Sequence, residues 1–299
     1  MIEVKVPATS ANVGPGFDCL GIALNLYNRI RFEEIESGYE FEGCEDQFKN
    51  EDNLVVKSIK YFIDYVKPAK VPGGFKIIFD ADIPVCRGLG SSAACIVAGV
   101  YAADYFTDSN LSKEELLKIA TDIEGHPDNI APAIFGNMTV SILHENGDII
   151  VDQIDISDKI QFCPMIPNFR LSTEKSRGVL PKQLDYKDAV FNVSRVALLI
   201  AALSNNRFEF LKAACEDKLH QNYRGSLIEG FDKVVDASYS NGALGVFLSG
   251  AGPTIMALNN VDNADFDEKM TPVFDTLEAD WTLLKLKCEK NGASIKVID

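Results

Sequence analysis

The stretch Pro84-Val85-Cys86-Arg87-Gly88-Leu89-Gly90-Ser91-Ser92-Ala93-Ala94 brings two glycines, two adjacent serines and an arginine to the mouth of an alanine-rich run. Glycine lets the backbone pass close to a ligand and take conformations closed to other residues. If the alanine-rich run is a helix, the first-turn amides of Ser91, Ser92 and Ala93 have no intrahelical partner, and the dipole there favours negative charge. That combination receives phosphate. No Gly-Lys-Ser/Thr follows and no lysine lies nearby, so this is not the Walker loop. Arg87 is the positive charge at hand. A purely structural helix cap is the alternative reading of the glycines.

A bound triphosphate would need Mg²⁺ to neutralise charge during transfer. Magnesium takes hard oxygen ligands and keeps several waters, so one or two protein groups suffice. Ser92 offers one oxygen. Glu124, at a predicted helix end in Glu124-Gly125-His126-Pro127-Asp128-Asn129, offers a carboxylate; Asp128 competes with it, and a solvated helix-end acid is the bland alternative. Asn12, Asp18, Thr173, Arg177 and Arg224 sit in no local motif that forces a function. Arg177 lies in a polar stretch, residues 171–178, read as a loop, where sites are enriched. Ser249-Gly250-Ala251-Gly252-Pro253 joins two apolar runs; its small residues suit close approach to a ligand or a tight β-turn equally.

The elements that must position these groups are mixed. Ile2, Val4 and Val6 alternate as a half-buried strand, residues 28–35 continue in that manner, and residues 8–18 between them read as a loop. A β-like run precedes the phosphate loop at residues 75–79. Asp52 is the expected cap of a helix presenting Val55, Ile59, Phe62, Ile63 and Val66 on one face. Residues 91–105 form a helix of Ala, Val and Ile, hence buried, and Ser112 with Glu115 makes a capping box for the next. Strands are expected at 137–143, 149–156, 161–166, 243–248, 254–258, 281–287 and 294–298. Helices are expected at 188–203, 208–218 and 230–238, with a stretch at 265–275 interrupted by Pro272. Without regular βαβ alternation, this predicts an α+β fold in two domains, residues 1–158 and 159–299.

Composition narrows the function. The chain has 299 residues, 46% of them hydrophobic, which suits a sizeable globular core. A net charge of −15 repels polyphosphate backbones and makes nucleic acid a poor partner, although a few arginines in a cleft can still hold an anion. No apolar run is long enough to cross a bilayer, and Met1 to Pro7 lacks the features of a signal peptide. Seven scattered cysteines without CxxC read as free thiols in a reducing cytoplasm, and three dispersed histidines suggest no metal cluster.

Three blocks occur in fixed order: Pro7-Ala8-Thr9-Ser10-Ala11-Asn12-Val13-Gly14-Pro15-Gly16-Phe17-Asp18, then Arg87 to Ala94, then Ser249-Gly250-Ala251-Gly252-Pro253-Thr254. Together they resemble the small-molecule kinase superfamily of galactokinase, homoserine kinase, mevalonate kinase and phosphomevalonate kinase. The first block and Glu124-Gly125-His126-Pro127-Asp128-Asn129-Ile130-Ala131-Pro132 look like the homoserine kinases, and the likeness covers nearly the whole chain. The resemblance implies an N-terminal ribosomal-protein-S5-like domain and a C-terminal ferredoxin-like domain, with ATP and L-homoserine meeting between them. It places residues 84–94 around the triphosphate, Asn53 near the adenine, and Ser92 and Glu124 on magnesium. Asn12, Asp18, Asn129, Thr173, Arg177, Arg224 and Gly250 match the amino-acid pocket, with Asn129 and Arg177 nearest the reaction. A homodimer is compatible with the resemblance, though no stretch identifies an interface.

The pocket makes physical sense: Asp18 can accept from an ammonium, and a bidentate arginine suits a carboxylate. Mevalonate kinase-like relatives carry an aspartate where Asn129 stands, commonly cast as the general base. A neutral amide cannot take a proton, so the expectation is a base-free transfer in which Asn129 orients the hydroxyl. His126 is the alternative proton acceptor, and Cys86 is expected to serve packing. The rival readings are another kinase of the superfamily, such as a threonine kinase, and a catalytically silent ligand-binding module.

Overall fold

In a computed structural model that describes residues 1–298, the chain begins with β1 (Ile2–Ala11), β2 (Leu20–Ile35), β3 (Gly38–Glu42), β4 (Gly74–Ala81), β5 (Met138–Leu143) and β6 (Ile149–Ile154). Ile2, Val4 and Val6 turn inward, but the strand runs on through Ala11, so residues 8–11 of the loop expected at 8–18 are strand. Its pairing with β2 shifts register between Pro7 and Ala8, where proline can give no amide to the ladder. β2 also pairs with β4 and β5, β3 lies parallel to β4, and β6 pairs with β5.

Four helices pack on this sheet: α1 (Leu54–Val66), α2 (Ser91–Thr107), α3 (Lys113–Glu124) and α4 (Pro127–Phe135). α2 and α4 lie against β1, with α1 and α3 against α2. The cap of α1 is Asn53, whose side chain accepts from the Val55 amide, and not Asp52. α2 is apolar on nearly every side because other elements cover it all round. The Ser112–Glu115 capping box forms as its spacing predicts. The helix predicted to end near Glu124 is followed directly by α4: Pro127 stands at its first turn, and Ile130, Ala131, Ala133 and Ile134 are buried.

The second half carries β7 (Ile160–Pro167), β8 (Gly245–Leu248), β9 (Ile255–Asn260) and β10 (Trp281–Leu283), an antiparallel sheet in the order β10-β7-β9-β8. Around it lie α5 (Thr173–Gly178), α6 (Tyr186–Ser204), α7 (Leu211–Ala214), α8 (Gln221–Gly225), α9 (Phe231–Ser240) and α10 (Phe266–Phe274). α5 replaces the loop expected at 171–178; Ser172 caps it by accepting from the Lys175 amide. The single helix expected over 208–218 is broken into a 3₁₀ turn and the short α7. α10 continues through Pro272. Finally β11 (Ser294–Val297) returns to pair with β1 in the first sheet, across the 158/159 line drawn from the sequence.

The main core runs without a break from Phe32, Phe62 and Phe75 of the first half to Phe162 and Phe247 of the second. Full burial of each such ring is worth roughly 1.5–3 kcal/mol. A smaller core of Met165, Ile255, Phe266 and Met270 occupies the far side of the second sheet. The polar groups described next lie where residues of the two halves meet.

Candidate active site

Gly90 caps α2 in the left-handed conformation at φ +71°, and Gly88 before it lies at φ +78°. A side chain at Gly90 would strike Thr9 Oγ1, and one at Gly88 would strike the Ser249 carbonyl. Both must be glycine for the loop to nest between β1 and the 249–253 turn. Among the described residues, the Ser91, Ser92 and Ala93 amides make no hydrogen bond. They remain available to an anion at the head of α2.

A cavity of about 570 Å³ opens in front of these amides, lined by Pro84 to Gly88, Gly90, Ser91 and Ser92. Asn53, Glu124, Asn129, Thr173 and Gly250 line it as well. The apolar part of its wall includes Phe48, Leu54, Phe79, Ile83 and Cys95, which suits the flat face of a base. Leu89, Ala93 and Ala94 of the same loop point instead into the core. Arg87 does not face the helix terminus: Nη2 donates to the Asn168 carbonyl at 2.8 Å and Nη1 to Val85 O at 3.3 Å. That arginine latches the loop to the end of β7. Asn53 meets the cavity while capping α1 and donating to Phe48 O at 2.9 Å.

Ser92 Oγ donates to Glu124 Oε2 at 2.8 Å, which brings the end of α3 to the start of α2. Burial lifts the Glu124 carboxyl above its ordinary range, with the Ser92 hydroxyl pulling the other way. A half-buried carboxylate beside a hydroxyl, facing free amides, is a donor set of the hard-oxygen kind that Mg²⁺ takes.

Next to this cavity stands a second group of polar residues. Asp18, at φ +55°, forms a two-pronged ion pair with Arg177 at 2.7 and 3.2 Å. Asn12 Oδ1 accepts from the Asp18 amide at 3.0 Å, and its Nδ2 donates to the Gly250 carbonyl at 2.9 Å. Arg224 is 1% exposed. It gives Nη1 to that same carbonyl at 3.1 Å and Nε to Ser176 O at 3.3 Å. Burial, and then the neighbouring Arg177 charge, bring its pKa down to about 10. Phe17 lies under both guanidiniums, 5.5 Å from that of Arg177 and 5.0 Å from that of Arg224. Asn129, in the first turn of α4, accepts the Thr9 hydroxyl at Oδ1 over 2.8 Å. Its amide nitrogen is left to donate.

Of the charged groups near the pocket, Asp128 is the most displaced from ordinary behaviour. It is 5% exposed, and burial, with the negative charge of Asp18 adding to it, pushes its carboxyl up to about 7. His126 Nε2 stands 3.9 Å from Asp18 Oδ2, and burial holds its pKa below the ordinary histidine value. Thr9, Phe17 and Ser249 lie within the first and third motif blocks, but nothing in the sequence gives them a role apart from their neighbours; they shape the site through contacts far along the chain. Asp128, named from the sequence as the competitor of Glu124 for magnesium, is buried on α4, and it is Glu124 that Ser92 contacts.

Comparison with known proteins identifies the family. The profile of the GHMP kinases N terminal domain matches residues 53–137, and that of the GHMP kinases C terminal domain matches residues 198–267. A homoserine kinase of Clostridium botulinum (strain ATCC 19397 / Type A) is 50% identical over 295 residues, 99% of this chain and 98% of that protein. This chain belongs to the GHMP kinase family, among its homoserine kinases. It is therefore an enzyme of the kinase class. The homoserine kinase of Clostridium beijerinckii is also 50% identical, over 99% of this chain and 98% of its own. The crystal structure of homoserine kinase from Cytophaga hutchinsonii superposes with a TM-score of 0.88 at 28% identity, covering 99% of this chain and 97% of the other. No helix of the described residues is long and apolar enough to cross a membrane.

Proposed function

We propose that this kinase transfers the γ-phosphoryl group of ATP to the side-chain hydroxyl of L-homoserine, forming O-phospho-L-homoserine on the route to threonine in the cytoplasm. One observation carries the reading. The cavity before the α2 amides adjoins, across Gly250, an Asp18–Arg177 pair whose charges match those of an amino-acid zwitterion. In this reading residues 84–94 hold the triphosphate through their backbone, and Asn53 lies near the adenine. Asp18 takes the ammonium, Arg177 and Arg224 the carboxylate, and Asn12, Thr173 and Gly250 complete the pocket. Ser92 and Glu124 would hold Mg²⁺, which when bound neutralises charge on the phosphate oxygens. Asn129 orients the acceptor hydroxyl from the cavity wall, with its Oδ1 occupied by Thr9. Having no proton-accepting group of its own, it supports a transfer without a general base, driven by alignment and by charge stabilisation.

We assign the first half an S5-like fold and the second a ferredoxin-like one, divided at 158/159 except for the returning β11. Steady-state ADP release with L-homoserine, L-threonine and mevalonate as acceptors tests the proposal. Homoserine should give the highest kcat/KM. Faster turnover of threonine or mevalonate would replace the substrate, and ATP consumption independent of any acceptor would remove the reading altogether.

A further inference from the structure

The buried imidazole of His220 belongs to neither the nucleotide cavity nor the groups assigned to the acceptor, yet it touches both arms of the acceptor site. Its backbone is fixed first. Asp217, itself buried, accepts from Asn192 Nδ2 at 2.7 Å and from the amides of Leu219, His220 and Gln221 at 3.0, 2.8 and 2.7 Å. Gln221 then bridges Cys215 O and the Leu248 amide, tying α8 to β8. The ring held there is 0% exposed and lies against Phe17 at 5.1 Å.

Its two nitrogens have different partners. Nε2 is 2.8 Å from the Gly14 carbonyl, and Nδ1 is 3.4 Å from Arg224 Nη1. A carbonyl only accepts and a guanidinium only donates. Nε2 therefore carries the proton and Nδ1 receives one from Arg224. Burial holds this ring below the ordinary histidine pKa, in keeping with a neutral form, although Asp217 Oδ2 stands 3.9 Å from Nε2.

The Gly14 contact matters because of the loop it holds. Asn12 and Val13 lie at φ +69° and +41°, and Asp18 at +55°. Positive φ is costly for a β-branched residue such as Val13 and persists only when surrounding contacts enforce it. His220 on Gly14 and Asn192 on Pro15 O, at 3.2 Å, are such contacts.

We propose that His220 is a positioning residue for acceptor recognition: its Nε2–H fixes the Gly14 carbonyl, and with it the Asp18 loop, while its Nδ1 orients Arg224. One ring thereby sets the spacing between the group for the ammonium and a group for the carboxylate. The inference rests on the homoserine reading above.

Two variants separate the two contacts. His220→Gln keeps a donor that can reach Gly14; His220→Asn keeps an acceptor where Nδ1 stood. Loss of the Arg224 contact should raise the homoserine KM in His220→Gln about tenfold, with ATP KM and kcat within about twofold. His220→Asn should retain part of the homoserine affinity. In an Arg224→Gln background, adding His220→Gln should cost less than about twofold more, because the two act through one contact. Equal rises in both Michaelis constants, or full additivity with Arg224→Gln, would overturn the proposal. Imidazole ¹⁵N spectra of the unaltered protein give a test that does not depend on any variant folding. A neutral Nε2–H ring for His220 is expected, and an Nδ1–H or charged ring overturns it. If the unaltered enzyme does not phosphorylate homoserine, the functional reading fails. If it does while His220 variants keep the wild-type homoserine KM, only the role of His220 fails.

Discussion

Asp18 and Arg177 already satisfy each other, with both guanidinium prongs on one carboxylate at 2.7 and 3.2 Å. An acceptor bearing only one charge would have to break that pair and leave one partner bare. A zwitterion replaces both contacts at once. Charge-assisted hydrogen bonds are worth about 1.5–3 kcal/mol, so Asp18→Asn or Arg177→Gln should each raise the homoserine KM by about 10- to 150-fold. The ATP KM should stay within about twofold. Parallel rises for both substrates in steady-state kinetics would place the pair outside the acceptor site.

Thr9 and Asn129 offer a check on base-free transfer. With one lone pair of Asn129 Oδ1 taken by the Thr9 hydroxyl, its amide nitrogen is the atom left without a partner to address an acceptor. Asn129→Ala should lower kcat by about 10- to 100-fold through lost alignment, yet leave a measurable rate. Thr9→Val, which keeps the shape and removes the donor, should cost a few-fold. Complete loss in Asn129→Ala with homoserine binding intact by calorimetry would reopen the search for a base, starting with His126.

The Ser92–Glu124 contact predicts a magnesium phenotype. Ser92→Ala and Glu124→Gln should each raise the Mg²⁺ concentration for half-maximal activity by about tenfold at fixed ATP. Homoserine KM should change little. An unaltered magnesium dependence in both variants would move the cation site elsewhere.

Asp128 should make stability depend on pH. Its carboxyl stands at about 7 in the folded chain, above the ordinary aspartate value, because of burial and the nearby Asp18 and Glu124 charges, offset by Arg177. A raised folded pKa means the folded form holds the proton more tightly. The contribution is complete below about pH 4 and fades as pH rises toward 7, by at most about 4 kcal/mol. Asp128→Asn should therefore gain stability relative to wild type across that interval and run parallel above it. Urea titrations at several pH values measure this, and a constant difference from pH 4 to 8 would contradict it.

Features legible from the sequence are those whose partners are near in the chain. The Ser112–Glu115 box and the Gly88-to-Ser92 turn needed only a few residues to be read. Asp18 and Arg177 are 159 residues apart, and nothing local to either announces the other. The polar stretch at 171–178 hid a helix because it carries no apolar periodicity; the structure shows Ser172 capping it. The helix expected at 208–218 failed for the opposite reason. Apolar spacing continued, but Asp217 draws the amides of residues 219–221 onto itself and begins a new turn. The resemblance to a kinase family supplied what spacing could not: a reason to place residues from both halves in one pocket.

The turn at Ser249–Thr254 is stitched to the opposite half at five points. Ser249 Oγ bonds Gly88 O and Ser10 Oγ, the Gly250 amide bonds Ala11 O at 3.0 Å, the Gly250 carbonyl accepts from Asn12 Nδ2 at 2.9 Å, and the Thr254 amide bonds Arg87 O at 3.3 Å. Swinging the halves apart like a clamshell would sever every stitch together, at about 0.5–1.5 kcal/mol apiece, and would uncover the shared core besides. Traffic of nucleotide in and out would thus pass over the cavity's own rim, where Gly43, Cys44, Glu45, Phe48 and Thr173 line the opening, and leave the stitched seam shut.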